Sequence, residues 1–105
     1  MKLTDYIVDF LVKKDVEHMF MFTGGAIAHL LDSVFNNNIK NDTLKPVCVM
    51  HEQAGSMAAD AYTRITGKIG VVAVTSGPGA TNLLTGMACS YYDSIPGLYF
   101  TGQVR

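Results

Sequence analysis

The chain has 105 residues, 8 Lys+Arg against 9 Asp+Glu and a net charge of −1; that is one domain or part of one, and scattered charge with no basic stripe argues against nucleic acid as a partner. Hydrophobic residues make up 49% and charged residues 16%, against about 25% charged in average chains, so the composition fits either a buried α/β core or, more sharply, a piece whose faces meet a partner subunit or further domains. No apolar run nears the roughly 18 residues of a membrane span, and MKLTDYIVDF carries acids where a signal peptide has its apolar core, so the chain reads as cytoplasmic, with no membrane partner.

The first residues set Leu3, Tyr6, Ile7, Phe10 and Leu11 at helical spacing. HMFMF over 18–22 reads as a strand, broken by Thr23-Gly24-Gly25. A helix follows over 26–35, with Ile27, Leu30, Leu31 and Val34 on one face, and the asparagine-rich stretch 36–45 reads as a surface loop. PVCVM at 46–50 is a second strand. The next stretch, from Glu52 to Thr66, is a helix whose Ala54, Ala58, Ala61 and Ile65 form a narrow small-residue face, and Gly67 is placed to end it in a left-handed conformation. IGVVAVT at 69–75 is almost wholly apolar, as suits a strand covered on both sides in a parallel sheet. Residues 76–79 turn, 80–91 read as a helix, and GLYFT at 97–101 is a fourth strand. Strands alternating with helices imply right-handed βαβ units: an α/β fold with a doubly wound, mainly parallel sheet and helices on both faces. The chain stops just after a strand, so truncation is expected. Cys48 and Cys89 have no metal-ligand spacing and are expected as buried free thiols; the six methionines are expected as core filler.

In open α/β sheets ligands bind outside the carboxyl ends of the strands. Three such ends carry marked residues: Thr23-Gly24-Gly25, His51-Glu52-Gln53 and Ser76-Gly77-Pro78-Gly79-Ala80-Thr81-Asn82. All three are expected along one edge of the sheet. The glycine loop is neither G-x-G-x-x-G, since Asn82 stands at the last glycine, nor a Walker loop, since no lysine follows. Ser76 and Pro78 offer a capped helix start, and a phosphate at that N-terminus is the other reading. Glu52 is either a helix-dipole partner or a functional carboxylate. His51 and Gln53 fit capping or solvent roles, and His18 and His29 read as structural.

The run His51-Glu52-Gln53-Ala54, with Met57-Ala58-Ala59-Asp60-Ala61-Tyr62-Thr63-Arg64 and Thr66-Gly67-Lys68, resembles the thiamine-diphosphate enzymes of the acetolactate synthase type. Gly70-Val71-Val72, Val74-Thr75-Ser76-Gly77-Pro78-Gly79-Ala80-Thr81-Asn82, Asp93-Ser94-Ile95-Pro96 and Thr101-Gly102-Gln103-Val104 continue the likeness over nearly the whole chain. The resemblance implies that residues 1–105 are the N-terminal, pyrimidine-binding domain, incomplete at its C-terminal end. It makes Glu52 the catalytic carboxylate that bonds the pyrimidine ring nitrogen and favours the imino tautomer, whose nitrogen then removes the thiazolium proton. It makes Phe22, Thr23 and Gly24 pocket residues, with Thr75, Pro78 and Asn82 in the neighbouring wall. The family's diphosphate and Mg²⁺ sit on another domain, usually the partner subunit's, with a Gly-Asp-Gly signature absent from this sequence. The resemblance therefore gives this chain no metal ligand and its glycine loop no phosphate role. FAD is compatible with it, as are a homodimer or tetramer and a 2-oxo acid substrate.

Two departures bear on the substrate. Acetolactate synthases carry Gly-x-Pro-Gly-Gly where this chain has Met21-Phe22-Thr23-Gly24-Gly25, and proline where it has Arg105. Thr-Gly-Gly with His29-Leu30 and Asp32 is closer to acetolactate-synthase-like enzymes of sugar and surface-polysaccharide pathways. The expected function is thus a piece of a 2-oxo acid decarboxylase/carboligase, inactive alone, with pyruvate or a sugar-pathway intermediate as acceptor. The alternatives are a non-catalytic interaction module of the same fold, which would be free to lose Glu52, and a Rossmann nucleotide domain, against which the glycine pattern counts.

Overall fold

The computed structural model describes residues 1–104; Arg105 lies outside the described residues. The strands β1 (His18–Met21), β2 (Lys45–Cys48), β3 (Gly70–Val74) and β4 (Gly97–Thr101) form one parallel sheet in the order β2-β1-β3-β4. Between and before them lie α1 (Leu3–Lys13), a 3₁₀ turn (Gly25–Ile27), α2 (Ala28–Asn41), α3 (Glu52–Thr66), the short α4 (Pro78–Thr81) and α5 (Leu84–Tyr92). The chain steps from β1 to β2 on one side and then doubles back past β1 to β3. Right-handed crossovers in opposite directions place their helices on opposite faces, and the two apolar layers show it.

One layer joins Val8 and Leu11 of α1 to Leu30, Leu31 and Val34 of α2, over Met19 and Met21 of β1 and Val71 and Ala73 of β3. The other packs Ala59 of α3 and Leu83 against Val72 and Val74, with Phe20, Phe22, Met87 and Tyr99 at its margin. Alternate residues of β1 and β3 point to opposite layers, as strand geometry requires. All of β3 is buried, as its unbroken apolar run predicts.

The sequence pattern mistakes some faces and lengths. Leu3, Tyr6 and Phe10 are exposed, and Val8 and Leu11 are the buried pair of α1. The helix carries two apolar stripes, and only one reaches the sheet. The predicted loop at 36–45 is helical as far as Asn41, because Asn36 Nδ2 donates to Asp32 Oδ1 one turn back and Asp42 ends the helix in a left-handed conformation, φ 51°. The small-residue face of α3 points outward: Ala54 and Ala61 are exposed, Ile65 is 84% exposed, and Gly55, Ser56, Ala59 and Thr63 face inward. The predicted helix at 80–91 is broken into α4 and α5, with the join at Asn82-Leu83. Cys48 and Cys89 are exposed rather than buried, lying at a sheet edge and on the outer face of α5. Met19 and Met21 are core, whereas Met50 and Met57 are exposed. Gly67 has the left-handed backbone expected of it, φ 72°, and its N–H bonds the Thr63 carbonyl.

The docking of α3 on β3 rests on Gly70 and Thr63. A Cβ at position 70 would stand 2.8 Å and 2.9 Å from the carbonyl carbon and Cα of Ala59, and closer still to its carbonyl oxygen. The buried Thr63 Oγ1 donates to the Ala59 carbonyl at 3.1 Å and accepts the Gly70 N–H at 2.8 Å. This fixes the helix that begins at Glu52.

Candidate functional site

The switch in strand order falls between β1 and β3, the place where open parallel sheets open a crevice at their carboxyl ends. Gly24 follows β1 there and Thr75 follows β3. They touch so closely that a Cβ on Gly24 would lie 2.9 Å from Thr75 Oγ1 and 3.0 Å from its Cγ2. Gly79, in the first turn of α4, meets Thr75 from the other side: a Cβ there would come within 2.8 Å of Thr75 Cγ2 and 3.5 Å of Glu52 Oε1. The chain after β4 closes on the same edge, where the Gly102 N–H bonds the Val74 carbonyl at 3.0 Å.

Glu52 opens α3 and is 8% exposed. The His51 ring caps the helix, Nδ1 accepting the Gln53 N–H at 3.0 Å, so the helix start is satisfied without the glutamate side chain. That carboxylate instead receives a hydrogen bond from Asn82 Nδ2 on Oε2, at 3.2 Å. Among the described residues Asn82 is the one side chain that bonds it. The partner of this buried carboxylate is therefore a neutral amide and not a cation.

Of the residues singled out in the sequence, Gly24, Glu52, Thr75 and Asn82 are brought together. Phe22 is half-buried against the layer of Val72, Val74 and Leu83. Thr23 and Pro78 are exposed. Pro78 opens α4 at its first position, as read from sequence, but the residue before the helix is Gly77, φ 63°, and Ser76 makes no cap. Gly79 was not legible as a site residue; its only signal is a second glycine inside a helix turn, where a side chain is usual.

The residues fit the aminopyrimidine end of thiamine diphosphate: one buried carboxylate for a ring nitrogen, Thr75 packed against Gly24 and Gly79 beside it, and an aromatic residue, Phe22, directly after β1. Among the described residues no group of three or more His, Cys, Asp or Glu could hold a metal ion. A cavity of about 490 Å³ lies at the amino ends of the strands, beside Asp15, Glu17, His18, Asp42 and Lys45. It is far along the strands from Glu52, and two of its three acids are engaged, Glu17 with Lys68 and Asp42 with Lys45. The Lys68 partnership holds the Glu17 carboxyl below its usual range. No described helix is long and apolar enough to cross a membrane.

Known proteins resemble this chain over most of its length. Residues 1–105 match the family model of the thiamine pyrophosphate enzyme N-terminal TPP binding domain. The chain is 47% identical over 98 residues to the acetolactate synthase large subunit of Porphyra purpurea, covering 93% of this chain and 16% of that protein. It is 45% identical over 98 residues to acetolactate synthase of Arthrospira platensis, covering 93% and 17%. It is 43% identical over 100 residues to the large subunit of Buchnera aphidicola subsp. Schizaphis graminum, covering 95% and 17%. The chain thus spans about a sixth of the length of these relatives. With an α/β parallel sheet, a buried glutamate at its switch point and these likenesses, the chain belongs to the thiamine pyrophosphate enzyme family, as an N-terminal TPP-binding domain of the acetolactate synthase type.

Proposed function

We propose that this chain supplies the pyrimidine-binding half of the active site in a thiamine-diphosphate-dependent 2-oxo acid decarboxylase/carboligase, with Glu52 as its catalytic carboxylate. The observation that carries this reading is Glu52 itself: a carboxylate 8% exposed, at the switch-point edge, bonded by an amide rather than spent on capping its helix. Bound thiamine diphosphate supplies the electron sink that decarboxylation and joining of 2-oxo acids require. The protein's part is positional and acid–base. Asn82 occupies Oε2, which leaves Oε1 to take and return the proton of the pyrimidine ring nitrogen. Gly24 and Gly79 let the backbone close on Thr75, which shapes the wall of the ring's pocket, Phe22 lines it, and Thr23, Thr75 and Pro78 border it.

Mg²⁺, the diphosphate contacts and any FAD belong, on this proposal, to domains outside this chain, contributed by a partner subunit or further sequence. Exposed Ala54, Met57, Ala61 and Ile65 on α3 and Leu84, Tyr91 and Tyr92 on α5 offer the apolar surface such a partner would cover. The exposed, unpaired Cys48 and Cys89 suit a reducing, cytoplasmic setting.

Glu52→Gln in the enzyme containing this chain tests the reading. It keeps the side chain's shape and removes the shareable proton, so turnover at saturating cofactor should fall by about 10²–10⁴-fold. Were Glu52 only a helix-dipole partner, the change would cost about 0.3–1 kcal/mol of stability and leave turnover intact. Exchange of the cofactor's C2 proton at the wild-type rate in Glu52→Gln would refute the proposal.

A further inference from the structure

We infer that Asn82 is a positioning residue for Glu52, holding the carboxylate in one orientation without taking its proton. This rests on the reading of Glu52 given above. Asn82 lies 30 residues from Glu52 in sequence, yet its Nδ2 reaches Oε2 at 3.2 Å. Its own backbone is fixed from both sides. The Asn82 N–H bonds the Pro78 carbonyl at 3.0 Å, ending α4, and the next residue, Leu83, is fully buried against Ala59, Val72 and Val74. The turn that carries Asn82 is seated against Thr75 and Glu52 because Gly79 has no side chain to hold it away. The break between α4 and α5 is therefore the joint that aims one amide at one carboxylate.

The identity of the donor matters. A lysine or arginine at this place would favour the charged carboxylate strongly and oppose its protonation. An amide donates without a net charge, so it fixes the rotamer without setting a cation beside the carboxylate. Burial without any partner would leave Glu52 to choose among several staggered positions.

The test has one arm without cofactor and one with it. In the 105-residue chain, the side-chain amide resonances of Asn82 should stand away from those of free asparagine and return toward them in Glu52→Ala. Unchanged resonances would overturn the contact. In the holoenzyme at saturating thiamine diphosphate and Mg²⁺, Asn82→Leu keeps the volume and removes the donor; exchange of the cofactor's C2 proton should slow by about 10-fold, the scale of losing a hydrogen bond to a charged group, with a smaller change in cofactor Kd. Asn82→Asp should be slow at neutral pH, where two carboxylates face each other, and recover as falling pH protonates the pair and restores a donor. A merely structural role would give no such recovery. Slow exchange in Glu52→Gln with wild-type exchange in Asn82→Leu would sink this inference alone. Wild-type exchange in Glu52→Gln would sink the functional reading and this inference with it.

Discussion

Gly70→Ala probes the contact that seats the site-bearing helix. The new Cβ would stand 2.8 Å and 2.9 Å from the carbonyl carbon and Cα of Ala59, where carbon atoms at rest are about 3.5–4.0 Å apart. These are backbone atoms, so no rotamer change relieves them, and α3 must move off β3 by roughly 0.7–1 Å. Overpacking of this kind typically costs about 1–3 kcal/mol. Contact with three backbone atoms at once puts the change near the upper figure. Replacing glycine in a strand returns about 0.5–1 kcal/mol, for a net loss of about 2 kcal/mol. With a urea slope of about 1–3 kcal/mol/M for a small protein, the unfolding midpoint of the chain should fall by about 1 M. Ala59→Gly should not rescue it, because the clash is with atoms glycine also has. A Gly70→Ala midpoint at or above wild type, or rescue by Ala59→Gly, would show that the account of this contact is wrong.

Two further stability outcomes follow from the same helix. Thr63→Val preserves shape but removes the hydroxyl that accepts the Gly70 N–H and donates to the Ala59 carbonyl, so chemical denaturation should show a loss of about 1–3 kcal/mol, the penalty for buried polar groups left unpaired. Asp60 receives hydrogen bonds from Arg64, at 2.6 Å, and from Ser90, at 2.6 Å, and Arg64 also pairs with Asp93, tying α3 to the end of α5. The Arg64 bond first, then that of Ser90, holds the Asp60 carboxyl below its usual range. A depressed folded-state value means the stabilisation is present above the ordinary aspartate value, about pH 4, and is lost as pH falls from there through the lower folded-state value. Asp60→Asn should therefore be less stable than wild type at neutral pH, with the gap narrowing in acid; a gap that stayed constant from pH 7 to pH 3 in thermal melts would contradict the linkage.

Much of the architecture is written in local pattern. The apolar run of β3 announces burial on both faces, Gly67 announces the end of α3, and the boundaries of α3 and β4 coincide with those read from sequence. Glycines after two strands and Glu52 after a third were enough to expect one functional edge. The length of α2 was hidden because asparagines read as loop until Asn36 is seen bonding Asp32 within the helix.

What the sequence by itself determined is the alternation of strands and helices, hence an α/β parallel sheet, and the family to which its ordered motifs belong. Which face of α3 lies inward was decided only in three dimensions. Its sides differ little in apolarity, and the side carrying Ser56 and Thr63 is buried because their hydroxyls find the Gln53 and Ala59 carbonyls. Likewise Glu52 and Asn82 are each marked in the sequence, but nothing there pairs them. Their meeting depends on the order of the strands, on glycines that admit close approach at Thr75, and on Leu83 anchoring the joint, since a hydrogen bond across 30 residues exists only once the packing has fixed both backbones.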